Sequence, residues 1–197
     1  MRYRPEPTPE DSAQRMKTLT LLVLLAVLEL GGCEYESAGD NFNRQIELCS
    51  VAEKNGILDT AVETCNAALV IAQARMYPQN QISSLLYRLG RLERQRGNFQ
   101  EAETLVERSL ALEETLGDQA GIAIRLVELA LNAAGQGRWM DGAQLLERAL
   151  PSIGALNDEH RKTAANALRG FSARLARMGE TPLAERFKTS AEELAQP

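Results

Sequence analysis

The chain has 197 residues, a net charge of -5 and a pI near 5.1. Ala and Leu supply 27 and 29 residues, Val and Ile seven each, and aromatics only 5%; this excludes a sheet-rich fold and points to an all-α one. A hydrophobic content of 44% excludes a disordered chain, and the acidic balance excludes sequence-independent nucleic-acid binding.

Residues 1–15 hold three Pro and mixed charges without apolar periodicity. They read as a disordered extension, with Met16 as the true start. Met16-Lys17 is followed by an apolar run from Leu19 to Leu28, then Glu29-Leu30-Gly31-Gly32-Cys33. A basic start, a short apolar core and small residues before a cut site are the parts of a secretory signal. The run is about half the ~20 residues a membrane-spanning helix needs.

Leu30-Gly31-Gly32-Cys33 resembles the lipobox of bacterial lipoproteins. The resemblance implies cleavage before Cys33, diacylation of its sulfur and acylation of the new N terminus. Residues 16–32 are then the lipoprotein signal peptide, and 33–40 the lipidated Cys and its tether. Glu29, a charge near the end of the run, departs from the pattern. Glu34 stands where the inner-membrane retention rule has Asp, which implies export to the periplasmic face of the outer membrane. The competing reading is a chance Cys after a buried helix.

Cys49 and Cys65 remain. Export would place them in an oxidising compartment, where such a pair can be bridged. The alternative is two small buried residues at helix contacts. Their spacing fits no zinc or redox motif.

Four segments align on Gly56, Gly97, Gly137 and Gly179, a period of about 41. Two residues on stand Leu58, Phe99, Trp139 and Thr181; five on, Ala61, Ala102, Gly142 and Ala184. Nine on stand Cys65, Val106, Leu146 and Lys188; twelve on, Ala68, Ser109, Ala149 and Ala191; thirteen on, Leu69, Leu110, Leu150 and Glu192. A Gly ends a helix in the left-handed conformation, small residues let helices approach, and the apolar places extend a stripe at helical spacing. Each unit is a helical hairpin.

This order of Gly, aromatic, Ala, large apolar, Ala and Leu resembles the tetratricopeptide repeat (TPR), in a longer form of roughly 42 residues. The resemblance covers about 41–196 as a TPR domain and implies an α-solenoid of about four hairpins. The expected helices are 41–54, 58–76, 79–96, 99–115, 118–136, 139–155, 159–178 and 182–196. Pro78 and Pro182 are read as first-turn prolines, Asp118 as a cap, and Pro151 as a kink or early end of the sixth helix. Lys188 and Glu192 replace apolar residues of earlier repeats, as a polar terminal cap requires; the array is expected to end at Pro197.

TPR arrays line a concave groove with the first helix of each hairpin. On that assignment the first helices carry 0, +3, -1 and +4, a total of +6, and the second helices -1, -4, -1 and -1, a total of -7. Arg88, Arg91 and Arg94 form a stripe one turn apart. The family geometry implies Asn43, Tyr87, Arg91, Arg94, Asn166 and Arg169 as groove-facing residues. Arg grips carboxylates bidentately, so the expected partner is an acidic or C-terminal-carboxylate peptide. The competing reading makes these solvated residues or partners of neighbouring acids such as Glu93.

His160 reads as a surface residue at a helix start, and Trp139 as core. No phosphate loop, Ser/His/Asp set or metal-ligand cluster is visible. The leading reading is a lipid-anchored, non-catalytic scaffold or adaptor for protein partners in the bacterial envelope, with no cofactor, small-molecule substrate or nucleic acid. The alternatives are a soluble TPR adaptor without lipidation and an envelope hydrolase or wall-binding accessory protein.

Overall fold

A computed structural model describes residues 41–196. The expected extension 1–15, signal 16–32, Cys33 and the tether to residue 40 lie outside the described residues. The chain divides into two units, Met1–Arg44 and Gln45–Pro197. Only 41–44 of the first are described, and they are helical.

Every described element is helical. Residues 41–54 are α1, followed by α2 (Leu58–Ala74), α3 (Gln79–Gln95), α4 (Phe99–Leu116), α5 (Gln119–Gly135), α6 (Trp139–Ala149), a 3₁₀ segment (Leu150–Ala155), α7 (Asp158–Met178) and α8 (Thr181–Leu194). Consecutive helices pack as antiparallel hairpins, and α2 on α3 and α4 on α5 join one hairpin to the next. The result is an all-α solenoid with the expected repeat.

The repeat positions explain the packing. Gly56, Gly97, Gly137 and Gly179 all take positive φ, 70° to 87°, which costs glycine nothing and turns the chain from first to second helix. The small residues twelve places on, Ala68, Ser109, Ala149 and Ala191, are all 0% exposed. Cys65, Val106 and Leu146 share that burial, each apolar side chain being worth about 1.5–3 kcal/mol when removed from water. Lys188 and Glu192 at the equivalent places of α8 are exposed, while the neighbouring Phe187 takes the inward role.

Gly142 stands where the other repeats have Ala because Phe171 and the Ala130 carbonyl press against it. An added Cβ would meet Phe171 Cζ at 2.6 Å and Ala130 O at 2.9 Å. Trp139 meets the same Phe171 edge-on, centroids 5.1 Å apart, and is half-buried as part of the core periphery.

The prolines act unevenly. Pro182 sits in the first turn of α8. Pro78 precedes α3 as its cap residue instead of opening it. Pro151 cannot donate its backbone nitrogen, so the α-helix stops at Ala149 and the chain continues as a 3₁₀ segment covering α5. Asp118 caps α5 by accepting from Gly121 N–H at 3.1 Å.

Cys49 and Cys65 are joined in a disulfide between α1 and α2, Cα atoms 5.2 Å apart, and both are fully buried. Sequence spacing left bridge and packing open; helix crossing brings the two Cα atoms within bonding range.

Two outcomes test this packing. Gly142→Ala should cost about 1–3 kcal/mol in denaturant unfolding, partly recovered by Phe171→Leu; a neutral single variant would contradict the close approach. Replacing both cysteines with Ala should cost about 3 kcal/mol for a 16-residue separation. Amide protection should be lost first in α1 and α2, whereas uniform loss along the chain would contradict a local staple.

Candidate protein-binding groove

The middle of the array is held by buried charge. Arg125 on α5 is 6% exposed and Glu113 on α4 4%. Their side chains pair at 2.8 Å. Ser83 on α3 donates its hydroxyl to Glu113 at 2.6 Å, and Ser109 donates to the Ser83 carbonyl at 2.8 Å. Arg125 Nε donates to Ser109 Oγ at 3.0 Å, and Nη2 to Ser83 Oγ at 3.3 Å. Four polar side chains from three helices thus satisfy one another. Burial lowers the Arg125 pKa, and Glu113 beside it opposes that; the guanidinium stays charged, as Arg does throughout the range of protein chemistry.

Tyr87 lies above this network. Arg125 covers its ring at 4.7 Å and Arg91 at 5.7 Å. Burial, then the Glu128 charge, pushes its hydroxyl up to about 12, so it remains protonated at any physiological pH. His160 meets the ring edge-on at 6.1 Å and is partly buried, which corrects its expected surface role. Burial above all lowers the His160 pKa, with Arg125 and Arg91 adding to it against Glu159; the imidazole is therefore neutral at pH 7.

The arginine stripe of α3 is partnered from within. Arg88 donates to Glu53 at 2.7 Å, and Arg91 lies 3.5 Å from the same carboxylate. Arg94 pairs at 2.5 Å with Glu128, whose side chain is 2% exposed. Arg96 pairs with Asp59 at 2.9 Å and Glu93 at 3.1 Å. Most of the charge expected to face a ligand therefore neutralises acids of α1, α2 and α5. Only part of each guanidinium is left to reach outward.

Asn166 and Arg169 lie elsewhere, in an open cleft of about 640 Å³ at the far end of the array. Arg169 donates to Asn166 Oδ1 at 2.9 Å. Arg161 and Lys162 line the same cleft, with Leu194 to Gln196 of the chain end. Asn43 is exposed in the first unit. The structure therefore divides the expected residues between a central cluster (Tyr87, Arg91, Arg94), the terminal cleft (Asn166, Arg169) and the first unit.

Sequence reasoning missed Arg125, Glu113, Glu128, Ser83 and Ser109. The available signal was Arg125 and Glu128 standing three apart inside an otherwise apolar helix, since charges on a buried stripe need partners. Among the described residues, no group of three or more His, Cys, Asp or Glu side chains could hold a metal ion. No described helix is long and apolar enough to cross a membrane.

Solved structures fix the kind of fold. The chain overlays a kinesin light chain-type protein of Podosopora anserina, built of nearly identical TPR-like repeats, with a TM-score of 0.58. The two are 20% identical, and the match covers 78% of this chain and 74% of that one. A single-substitution variant of the same protein gives 0.59 over the same shares, also at 20% identity. This chain has a TPR-like fold. No family model matches the sequence, and no curated protein matches it either. TPR-like folds are generally scaffolds for protein partners; the likeness extends to the fold alone.

The buried pair is testable. Arg125→Leu should cost about 3–5 kcal/mol, because Glu113 would be left charged and alone in the core. Adding Glu113→Leu should recover most of it. A double variant no more stable than the single would show that the pair is not what the cost measures.

Proposed function

We propose that this chain is a lipid-anchored, non-catalytic scaffold that mediates protein–protein interactions in a bacterial cell envelope. The observation that carries the reading is the TPR-like solenoid, a fold that generally serves as a scaffold for protein partners. The lipobox-like Leu30-Gly31-Gly32-Cys33 supports the anchor. Two or more acyl chains on Cys33 would hold the protein stably at a membrane, where one would be marginal.

The Cys49–Cys65 disulfide supports export, since such bonds persist in oxidising compartments. In this reading 16–32 is the signal peptide and 33–40 the lipidated Cys and tether. The seven residues from 34 to 40 reach at most ~25 Å, so partners are met close to the membrane, on the periplasmic face of the outer membrane. The preferred partner is acidic, because the cations of α7 have few acids of their own.

Fractionation with and without Cys33→Ser tests the anchor. Wild type should pellet with membranes and carry label from radioactive palmitate, and Cys33→Ser should lose both. Identical fractionation without label would favour a soluble adaptor. Crosslinking in membranes followed by affinity purification tests the scaffold. A recurrent partner is expected; wild type recovering nothing beyond an unfolded control would overturn it.

A further inference from the structure

The repeat register gives the terminal cleft a meaning. Ala165, Asn166 and Arg169 on α7 align with Ala123, Ile124 and Val127 on α5, through the 42-residue step from Gly137 to Gly179. The α5 set is 0–1% exposed, in the core that α5 shares with α7. Ala195 likewise aligns with the buried Ile153. The cleft is therefore the seat of the next first helix, and among the described residues that seat is open.

Its lining is amphipathic. The half-buried Leu194 and the exposed Ala195 form an apolar floor beside Ala165, which is itself only 3% exposed, and Arg161, Lys162 and Arg169 form the rim. A cap for solubility needs only polarity, of either sign. This rim is nearly all one sign. Its single acid, Asp158, has a side chain 92% exposed and lies 3.6 Å from Arg161. Among the described residues Lys162 and Arg169 make no ion pair, unlike the partnered stripe of α3. Like charges gathered on one rim repel, solvent and salt screen part of that repulsion, and an anionic partner relieves it further.

We propose that this cleft docks an acidic amphipathic α-helix of a partner protein, laid in the place of a fifth first helix. The apolar face of the partner helix rests on Leu194 and Ala195, and its carboxylates meet Arg161, Lys162 and Arg169. The proposal rests on the reading of this chain as a protein-binding scaffold and adds where and what it binds.

The test is fluorescence anisotropy on the full chain with a labelled Glu/Leu/Ala peptide of about 18 residues, long enough to form a helix. A proline-interrupted peptide of the same charge serves as control. The helical peptide should bind, and Lys162→Glu with Arg169→Glu should weaken it about tenfold or more. Both substituted residues are exposed, so circular dichroism should be unchanged. Arg108→Glu, at an exposed position of α4, should leave binding intact.

Absent binding, equal binding of the interrupted peptide, or equal loss in Arg108→Glu would overturn the proposal. Self-association abolished by the cleft pair would assign the seat to a second copy and overturn it too. If the crosslinked partner is still recovered with the cleft pair reversed, the cleft is wrong and the scaffold stands. Loss of that partner on the cleft substitutions would support both.

Discussion

A helical hairpin of this repeat cannot bury its own apolar face, so each hairpin depends on its neighbour. That constraint organises the molecule. Small residues at the contact positions let the helices approach, and the core runs continuously from Tyr87 to Ala191 without a boundary. Where the approach is closest the sequence goes below Ala: Gly142 gives Phe171 the space that a methyl group would occupy.

The two ends of the described array meet the constraint by different chemistry. The first hairpin is stapled by a buried disulfide, which restrains the unfolded chain instead of adding contact area. The last hairpin turns Lys188 and Glu192 to water and sets cations along its open seat. In the middle, α5 is covered on every side and carries two charges, both partnered within the protein. Arg125 is answered by Glu113, and Glu128 by Arg94. An unpartnered charge at this depth would cost several kcal/mol, so these pairs tie the α3/α4 and α5/α6 hairpins into one register.

The same pairing redistributes the surface field. The chain carries -5 overall and a large excess of cations on its first helices. Much of the α3 excess is consumed by Glu53, Asp59, Glu93 and Glu128. The excess on α7 has few internal partners, although Arg174 stacks 5.6 Å over the Trp139 ring. Sequence charge alone made α3 and α7 look alike, whereas three-dimensional pairing separates them. An exposed ion pair is worth little, but a half-buried one commits its arginine to the fold.

Several features were legible in the linear order. Helix number, hairpin pairing, the left-handed glycines, the Asp118 cap and the break at Pro151 all follow from local rules: a Cβ penalty, an orphan N–H, a missing donor. These operate within a few residues and need no neighbour. The periodic small and apolar positions also named most of the core, because a 3.6-residue stripe has only one buried side. Other features depended on distances across the array. Whether Cys49 and Cys65 bond, whether Arg94 meets a ligand or Glu128, and whether His160 is surface or packed against Tyr87 are decided by residues 16, 34 and 73 positions away. Sequence specifies which residues are able to pair; only the stacking of hairpins brings particular pairs within a few ångströms, where Coulomb and covalent terms become large enough to decide.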